Sequence, residues 1–270
     1  MSIYQAIVLG IIQGVTEFLP VSSSAHLLLT RWFLGWPEVD ISFDIALHVG
    51  TLISILWYFR VKICSLFKGF FDSIKERTVQ GDPYRKLSWL FILSCIPPGI
   101  AGVFFEDIIT DYLRCPLVSA FNLILIGALL FYVERRQAGN RKLEDSNIKD
   151  AFFIGIAETL ALAPGVSRSG ITITAGLFRR MSRECATEFS FLMAIPVIGG
   201  GAVFQFLHLL KNSNEFINLP FILGMIASII SGYIAIKYLL RYLQKGNFYP
   251  FVYYRWLLGT VIIIVYLLSL

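Results

Sequence analysis

The stretches QGVTEFLPVSSSAH at residues 13–26 and ETLALAPGVSRSGIT at residues 158–172 decide the fold of this chain. Each one places ionisable and hydroxyl side chains around a proline, within sequence that is otherwise strongly apolar. Ionisable groups are costly inside a lipid bilayer, so those that occur there mark a functional site. The two stretches therefore predict a site for a charged phosphate group inside a membrane protein.

The composition of the chain agrees with a membrane protein. Hydrophobic residues make up 56% of the 270 residues and charged residues only 15%, which is too apolar for an ordinary soluble domain. The net charge of +5 is modest, and no run of lysine and arginine is long enough to follow a nucleic-acid backbone. We therefore expect the lipid bilayer as the surrounding medium and no nucleic-acid partner. The four cysteines lack paired spacing, so we interpret them as thiols without a role.

Six segments qualify, or nearly so, as membrane spans, which take about 20 apolar residues. They are residues 44–60, 87–105, 116–133, 188–209, 218–236 and 251–269. The connections rich in lysine and arginine are 60–86, 134–150 and 237–245, and the poor ones are 106–115 and 210–217. Because basic loops stay on the cytoplasmic side, the first three predict the inner side of the membrane and the other two the outer side.

This charge pattern leaves two segments that cannot cross the membrane. Span 44–60 must run inward, so the segment before it begins and ends outside. Segment 151–180 lies between the basic loop 134–150 and the arginines at 179–183, so it enters from the inside and returns there. Each polar stretch then lies at the turn of a re-entrant helical hairpin, where protein or water must surround the irregular backbone. Both chain termini are predicted outside.

The two hairpins resemble each other when the sequence is shifted by 145 residues. The shift aligns Gly10-Ile-Ile-Gln13 with Gly155-Ile-Ala-Glu158, and Val21-Ser-Ser-Ser24 with Val166-Ser-Arg-Ser169. Three spans follow each hairpin, so the pattern predicts a single integral membrane domain built from an inverted-topology repeat. The predicted repeat halves are residues 1–133 and 151–270. Chance similarity between apolar sequences is the alternative explanation.

Gln13 and Glu17 are four residues apart and therefore share one face of the first helix. Pro20 ends that helix, because the residue before a proline is pushed out of the α conformation. A simple helix–break–helix with capping serines would need no carboxylate, so that interpretation leaves Glu17 unexplained. A carboxylate here could hold Mg²⁺ or Ca²⁺ through oxygen ligands, with substrate phosphate completing the shell. Gln13 would add a metal ligand or a hydrogen bond.

A serine cluster and His26 follow the break. Residues 22–24 are predicted to open the next helix, where serines cap free N–H groups, with His26 in the first turn. A lone histidine on an apolar helix is usually a structural residue, but this one lies close to both Ser23 and Glu17 in the sequence. We predict that it acts as a nucleophile or as a general acid–base. Two versions stay open: His26 attacks phosphorus, or it activates Ser23 or a water.

The second stretch has the features of an anion-binding helix terminus. A proline–glycine pair breaks one helix, and Gly165 lets the backbone approach a ligand closely. Ser167, Arg168 and Ser169 open the next helix, where N–H groups and hydroxyls form a cradle for an anion. The guanidinium of Arg168 suits phosphate oxygens, and Thr172 could add a hydroxyl one turn later. The alternative, Arg168 reaching lipid headgroups, conflicts with its predicted depth in a hairpin.

Three further polar residues carry weaker signals. Glu158 occupies the repeat position that matches Gln13, so it is a candidate metal ligand or supporting carboxylate. Asp44 and His48 are four residues apart, which fits a structural contact along one helix.

Together the two motifs resemble those of a known family. QGVTEFLPVSSSAH is similar to the (E/Q)xxxE plus Pro-Val-Ser-Ser-x-x-His signature of the undecaprenyl-pyrophosphate phosphatases of the bacitracin-resistance family. PGVSRSGIT resembles that family's Pro-Gly-x-Ser-Arg-Ser-x-x-Thr motif, and the agreement covers essentially the whole chain. The resemblance implies a bacterial inner-membrane enzyme that removes the terminal phosphate of undecaprenyl pyrophosphate. This would recycle the lipid carrier for cell-wall polymers and confer bacitracin resistance.

The resemblance also implies roles for individual residues. By motif position, Gln13 and Glu17 match the acidic motif, Ser23 and His26 the nucleophile or base, and Ser167, Arg168, Ser169 and Thr172 the phosphate-binding motif. Activity would depend on Mg²⁺ or Ca²⁺. Because the first acidic position is a glutamine here, a metal would need Glu158, phosphates or waters beside Glu17. By topology the site would face the periplasm, and a homodimer is compatible with the resemblance.

A transporter is the competing class of protein. Inverted repeats, broken helices and a midplane site are also features of secondary transporters, so a flippase for prenyl phosphate fits the same architecture. The concentration of Glu17, Ser23, His26 and Arg168 in two short motifs favours hydrolysis, since a carrier needs ion sites but no nucleophile. A non-catalytic scaffold would leave these buried polar groups without a purpose.

Overall fold

The computed structural model describes residues 1–37, 41–112, 115–136, 139–212 and 218–268. These residues form eleven α-helices: α1 (Ile3–Phe18), α2 (Ser23–Phe33), α3 (Ile41–Tyr58), α4 (Arg60–Glu76), α5 (Pro83–Tyr112), α6 (Pro116–Arg135), α7 (Ile148–Thr159), α8 (Arg168–Phe178), α9 (Arg183–Asn212), α10 (Leu219–Leu243) and α11 (Tyr249–Leu268). Short 3₁₀ turns occur at Leu143–Asp145 and Leu160–Leu162, and the described ranges contain no strand. The predicted all-α class is therefore confirmed.

Five helices are long and apolar enough to cross a bilayer. They contain the segments Pro83–Phe104, Pro116–Arg135, Arg183–Ala202, Leu219–Leu243 and Tyr249–Leu268. A sixth span arises if α3 and α4, which are bent by 81° at the break between them, are counted as one. Each predicted span coincides with a helix, so the chain is a multi-pass membrane protein with five or six spans by length and composition.

The segment predicted as a basic loop at 60–86 is mostly helical, so that prediction was wrong. It forms α4, which ends where Arg77 adopts the left-handed conformation. Apolar residues recur at helical spacing between its lysines, and Phe70 packs against Trp89 of α5 with ring centroids 5.0 Å apart. A count of loop charges is blind to such periodicity, which is why the sequence analysis missed an amphipathic helix.

Two other predicted loops are largely helical, and a third cannot be compared. The predicted loop 237–245 belongs largely to α10, which continues to Leu243. The predicted outer loop 106–115 is helical up to Tyr112. Most of the predicted loop 210–217 lies outside the described residues.

Each of the pairs α1–α2 and α7–α8 forms a helical hairpin whose two ends meet. In the first hairpin, Tyr4 near the start of α1 contacts Trp36 just after α2, with ring centroids 6.1 Å apart. In the second, the first turn of α7 carries Asp150, which accepts hydrogen bonds from Arg179 Nε at 2.7 Å and Arg141 Nη1 at 3.1 Å. Burial by itself would raise the pKa of the Asp150 carboxyl, but the two arginines outweigh it and hold that pKa below its ordinary value.

The remaining helices pack around these hairpins. α1 packs along α10 and α3, α7 along α5, and α8 against α9 and α6, while α6 and α11 pack on each other. Phe18, the last residue of α1, contacts Phe191 of α9 with ring centroids 5.2 Å apart. Both rings are buried in the largest apolar cluster. The end of α1, directly before its break, is thereby anchored in the core.

Close approach of α1 to α10 depends on small residues at their contact. A Cβ added at Gly14 would lie 2.6 Å from the carbonyl oxygen of Ser228 and 2.7 Å from the backbone nitrogen of Gly232. Both are backbone atoms of a helix, so neither can move aside cheaply. Small residues at such contacts are common in membrane proteins, because packing rather than the hydrophobic effect drives helix association there.

We expect Gly14→Ala to lower the thermal unfolding midpoint of the detergent-solubilised protein, because overpacking costs about 1–3 kcal/mol. Gly99→Ala in α5 is the matched control, since a Cβ at Gly99 would meet no atom of the described residues within 4 Å. Its midpoint should equal or slightly exceed that of the wild type. Equal midpoints for the two variants would contradict the tight α1–α10 contact.

Candidate functional site

The two helix breaks have the same backbone construction, 145 residues apart. α2 begins after Ser22, whose φ is 74°, and α8 begins after Ser167, whose φ is 71°. A positive φ is uncommon outside glycine and costs about 1–3 kcal/mol. Ser167 accepts a hydrogen bond from the Gly170 N–H at 3.1 Å and thereby caps α8. Ser22 makes no such bond and contacts Ser24 Oγ instead at 3.2 Å, so the capping prediction was wrong there.

An ion pair joins the two breaks. Arg168 Nη2 donates to Glu17 Oε1 at 2.7 Å, and both side chains are largely buried. The other carboxylate oxygen of Glu17 accepts hydrogen bonds from Ser23 Oγ at 2.6 Å and from Gln13 Nε2 at 3.0 Å. Four residues that the sequence analysis assigned to one site therefore lie in direct contact, although they come from the two hairpins.

His48 of α3 also faces this cluster. Its Nε2 lies 3.8 Å from Glu17 Oε2. Its Nδ1 lies 2.8 Å from the backbone carbonyl oxygen of Asp44. The Asp44 carboxylate accepts from Arg31 Nη1 at 3.1 Å instead, so the predicted contact along the helix uses the backbone of Asp44 and not its side chain. The interpretation of His48 as purely structural was incomplete, because its Nε2 faces the Glu17 carboxylate. A histidine within an apolar predicted span was the available signal.

The other residues of the second motif support the position of Arg168. Ser169 Oγ donates to the carbonyl of Leu19 at 3.0 Å, which links the two breaks a second time. Thr172 Oγ1 donates to the Arg168 carbonyl at 2.7 Å and lies 2.6 Å from Ser190 Oγ, in a fully buried position. At Gly165 the φ is 84°, and a Cβ would lie 2.2 Å from the Ser119 carbonyl oxygen. These groups hold the second break in shape.

The hydrogen bonds described for His26 go to Ser22 and Tyr254 and not to Ser23. Its Nδ1 lies 2.7 Å from the Ser22 carbonyl, and its Nε2 lies 2.6 Å from the hydroxyl of Tyr254 in α11. Because a carbonyl only accepts hydrogen bonds, Nδ1 of a neutral ring carries the proton and Nε2 accepts from Tyr254. The Ser23 hydroxyl donates to Glu17 instead. Tyr254 could not be singled out from the sequence, since one tyrosine in an apolar span carries no signal.

Glu158 and Gln13 each carry buried oxygen atoms without a hydrogen-bond partner in the described part of the chain. These atoms are both carboxylate oxygens of Glu158 and the amide oxygen of Gln13. The Glu158 carboxylate is close enough to Glu17 and Arg168 to interact with their charges. Such oxygen-only donors match the preference of Mg²⁺ and Ca²⁺. No group of three or more histidine, cysteine, aspartate or glutamate side chains with metal-binding placement occurs among the described residues.

Arg255 of α11 is a second buried arginine near the breaks, and the sequence analysis missed it. It is fully buried and donates to backbone carbonyls of both hairpins, at Pro20 and at Gly165. The signal was present, because an arginine inside an apolar predicted span is expected to have a function.

Known proteins resemble this chain over nearly its whole length. A family model described as "Bacitracin resistance protein BacA" matches residues 6–261, which include both motifs. A protein named "Undecaprenyl-diphosphatase" from Thermodesulfovibrio yellowstonii is 45% identical over 266 residues, covering 98% of this chain and 97% of the relative. Proteins with the same name from Moorella thermoacetica and Pelobacter propionicus are 44% and 42% identical, and each alignment covers at least 98% of both chains.

Proposed function

This chain belongs to the bacitracin resistance protein BacA family, and we propose that it hydrolyses undecaprenyl pyrophosphate to undecaprenyl phosphate and inorganic phosphate. The reaction recycles the lipid carrier for cell-wall polymers at the inner membrane, and it accounts for resistance to bacitracin. The observation that carries the proposal is the direct contact of Arg168, Glu17 and Ser23 across the two helix breaks. Phosphoryl transfer needs a positive group that binds the phosphate, a nucleophile, and a base that accepts the proton of the nucleophile. Arg168, the Ser23 hydroxyl and the Glu17 carboxylate are groups of these three kinds.

Arg168 is the proposed ligand of the distal phosphate. In the structure its guanidinium is neutralised by one carboxylate, Glu17, at 2.7 Å. A pyrophosphate carries more negative charge than a carboxylate and presents several oxygens to the planar guanidinium. The arriving phosphate therefore replaces Glu17 on Arg168 and leaves the Glu17 carboxylate free to act. The N–H groups at the starts of α2 and α8 add positive potential from both hairpins.

Glu17, Gln13 and Glu158 are the proposed ligands of Mg²⁺ or Ca²⁺. Glu158 and Gln13 have buried oxygens without partners, and Glu17 gains a free oxygen when phosphate takes over Arg168. When bound, the cation offsets the negative charge of the pyrophosphate. The glutamine at position 13 reduces the negative charge of this ligand set, so Glu158 supplies the second carboxylate.

Ser23 is the proposed nucleophile. Its O–H points at Glu17 Oε2 at 2.6 Å, so Glu17 is placed to accept the proton as the oxygen attacks the distal phosphorus. Undecaprenyl phosphate then leaves, and a water hydrolyses the phosphoserine to Ser23 and inorganic phosphate. His26 is the proposed base for this water, once Tyr254 releases its Nε2. Two alternatives are direct attack on the distal phosphorus by His26, and attack by a water with Glu17 as its base.

We propose that both hairpins are re-entrant and form an inverted repeat within one membrane domain. The Tyr4–Trp36 contact and the Asp150–Arg179 pair support this, because each brings the two ends of a hairpin together. The basic loops then lie inside, both termini lie outside, and the site opens to the periplasm. The names of the relatives do not favour the flippase alternative, and a carrier would not need the contact between Ser23 and Glu17.

The first test is phosphate release from undecaprenyl pyrophosphate by detergent-purified protein, with Mg²⁺ or Ca²⁺ and with EDTA. We expect cation-dependent release, reduced about 10²–10⁴-fold in Glu17→Ala and Arg168→Ala, because each removes a group that acts on the reacting phosphate. Glu76→Ala is the control, since it breaks an ion pair with Arg85 on α4, away from the breaks. No release by folded wild-type protein would reject the phosphatase.

The same assay tests the nucleophile. Ser23→Ala should lose about as much activity as Glu17→Ala, whereas Ser24→Ala, which removes a neighbouring exposed hydroxyl, should stay near wild type. Substrate labelled with ³²P in the distal phosphate should leave label on acid-quenched wild-type protein but not on Ser23→Ala. A Ser23→Ala variant that keeps most of its activity would instead assign the attack to water or His26.

Membrane orientation can be tested with single cysteines and a membrane-impermeant maleimide. A cysteine replacing exposed Ser24 near the first break should react from the periplasmic side of intact spheroplasts. A variant that retains only Cys64, which is exposed on α4, should react only in inverted vesicles. The reverse pattern would contradict the assigned orientation.

A further inference from the structure

We propose that Arg255 is a positioning residue that ties the two helix breaks together and thereby sets the separation of Glu17 and Arg168. The inference rests on the proposed phosphatase activity for its consequence in catalysis. The structural part stands on the contacts of Arg255 alone. Nothing in the two motifs points to α11, which begins more than seventy residues after the second motif.

The guanidinium of Arg255 reaches both hairpins at once. Its Nη1 donates to the carbonyl of Pro20, in the break between α1 and α2, at 3.0 Å. Its Nη2 donates to the carbonyls of Gly165 and Val166, in the break before α8, at 3.0 and 2.9 Å. Its Nε donates to the Leu123 carbonyl of α6 at 3.1 Å. Its Nη2 also donates to the Asn122 carbonyl of α6 at 3.4 Å, so one side chain connects five backbone groups from three separate parts of the chain.

The carbonyls of Pro20, Gly165 and Val166 need a donor because they lie in the breaks, outside the continuous helices. Backbone at a break lacks the hydrogen bonds of a continuous helix, and lipid cannot replace them. The five N–H donors of a guanidinium lie in one plane and can serve several acceptors. No ion pair in the described part of the chain includes Arg255. Its contacts are thus with the dipoles of the breaks and not with a carboxylate.

Asn122 makes the corresponding contact from α6. Its Nδ2 donates to the carbonyl of Pro164 at 2.7 Å, directly beside the Gly165 carbonyl that Arg255 binds. This amide reaches only the second break, whereas Arg255 reaches both. Gly170 leaves space for the guanidinium, since a Cβ there would lie 3.0 Å from Arg255 Nη1. The two breaks are therefore held by polar side chains from the mutually packed helices α6 and α11.

The position of Arg255 explains why it should control the reaction. Glu17 lies three residues before Pro20, and Arg168 lies two residues after Val166. Fixing these two carbonyls on one rigid group fixes the backbone that carries both charged side chains. Release of one break would move the hydroxyl and carboxylate relative to the phosphate ligand. A displacement of about 1 Å can cost 10²-fold in rate.

The test compares Arg255→Met, Arg255→Lys and Arg183→Met in the phosphate-release assay. We expect kcat to fall about 10²-fold in Arg255→Met with KM little changed. Arg255→Lys should recover only part of the loss, because one ammonium cannot reach carbonyls in both breaks. Arg183→Met is the control: it removes a half-buried arginine bonded to Glu134 at 2.8 Å, remote from the breaks, and should keep kcat. Full recovery with lysine would reject the bridging role.

A distance measurement separates positioning from general loss of structure. Spin labels at Ser24 and Leu160, both exposed and on opposite hairpins, would be introduced after replacing the four native cysteines. The wild type and Arg183→Met should give one narrow distance distribution, and Arg255→Met a broadened or shifted one. An unchanged distribution, or activity lost only in proportion to thermal stability, would overturn the proposal. If the wild type released no phosphate, the proposed function would be rejected. The distance measurement would still test whether Arg255 holds the two helix breaks together.

Discussion

The buried ion pair between Glu17 and Arg168 is the contact on which the rest of the structure depends. Each charge alone would be very costly at this depth, and the pair compensates that cost only with good geometry and further hydrogen bonds. Ser23 and Gln13 supply those bonds on the carboxylate. Because the partners belong to different hairpins, the ion pair requires both breaks to meet at one point.

Two breaks that meet inside a membrane protein create a second constraint, since their backbone groups must find donors within the protein. Arg255 and Asn122 meet this need from α11 and α6, and Ser169 adds a hydroxyl from the opposite hairpin. The positive φ of Ser22 and Ser167 is tolerated because the surrounding packing determines the chain path. Strain, buried charge and irregular backbone thus occur together, as expected for a functional site.

The structure also suggests how the site distinguishes its ligand. Arg168 is already neutralised by Glu17, so a weak anion gains little by replacing the carboxylate. A pyrophosphate offers more charge and more oxygens, and in the proposed site it would also use the helix starts and a cation. Self-neutralisation in the resting state therefore favours highly charged phosphate groups over singly charged ones. In the proposed mechanism, the same exchange frees Glu17 when a substrate is present.

The sequence by itself determined the all-α class, the spans and the two proline-centred breaks, because hydropathy and helix-breaking residues act locally. It also predicted that Glu17, Ser23 and Arg168 share a site, since a charged group in an apolar environment is costly unless it pairs with another polar or charged group. Only the tertiary structure decided that Ser23 faces Glu17 and that His26 pairs with Tyr254. It alone revealed Arg255 as the link between the breaks. These features depend on which helix faces pack together, and that is set by distances between residues far apart in the chain.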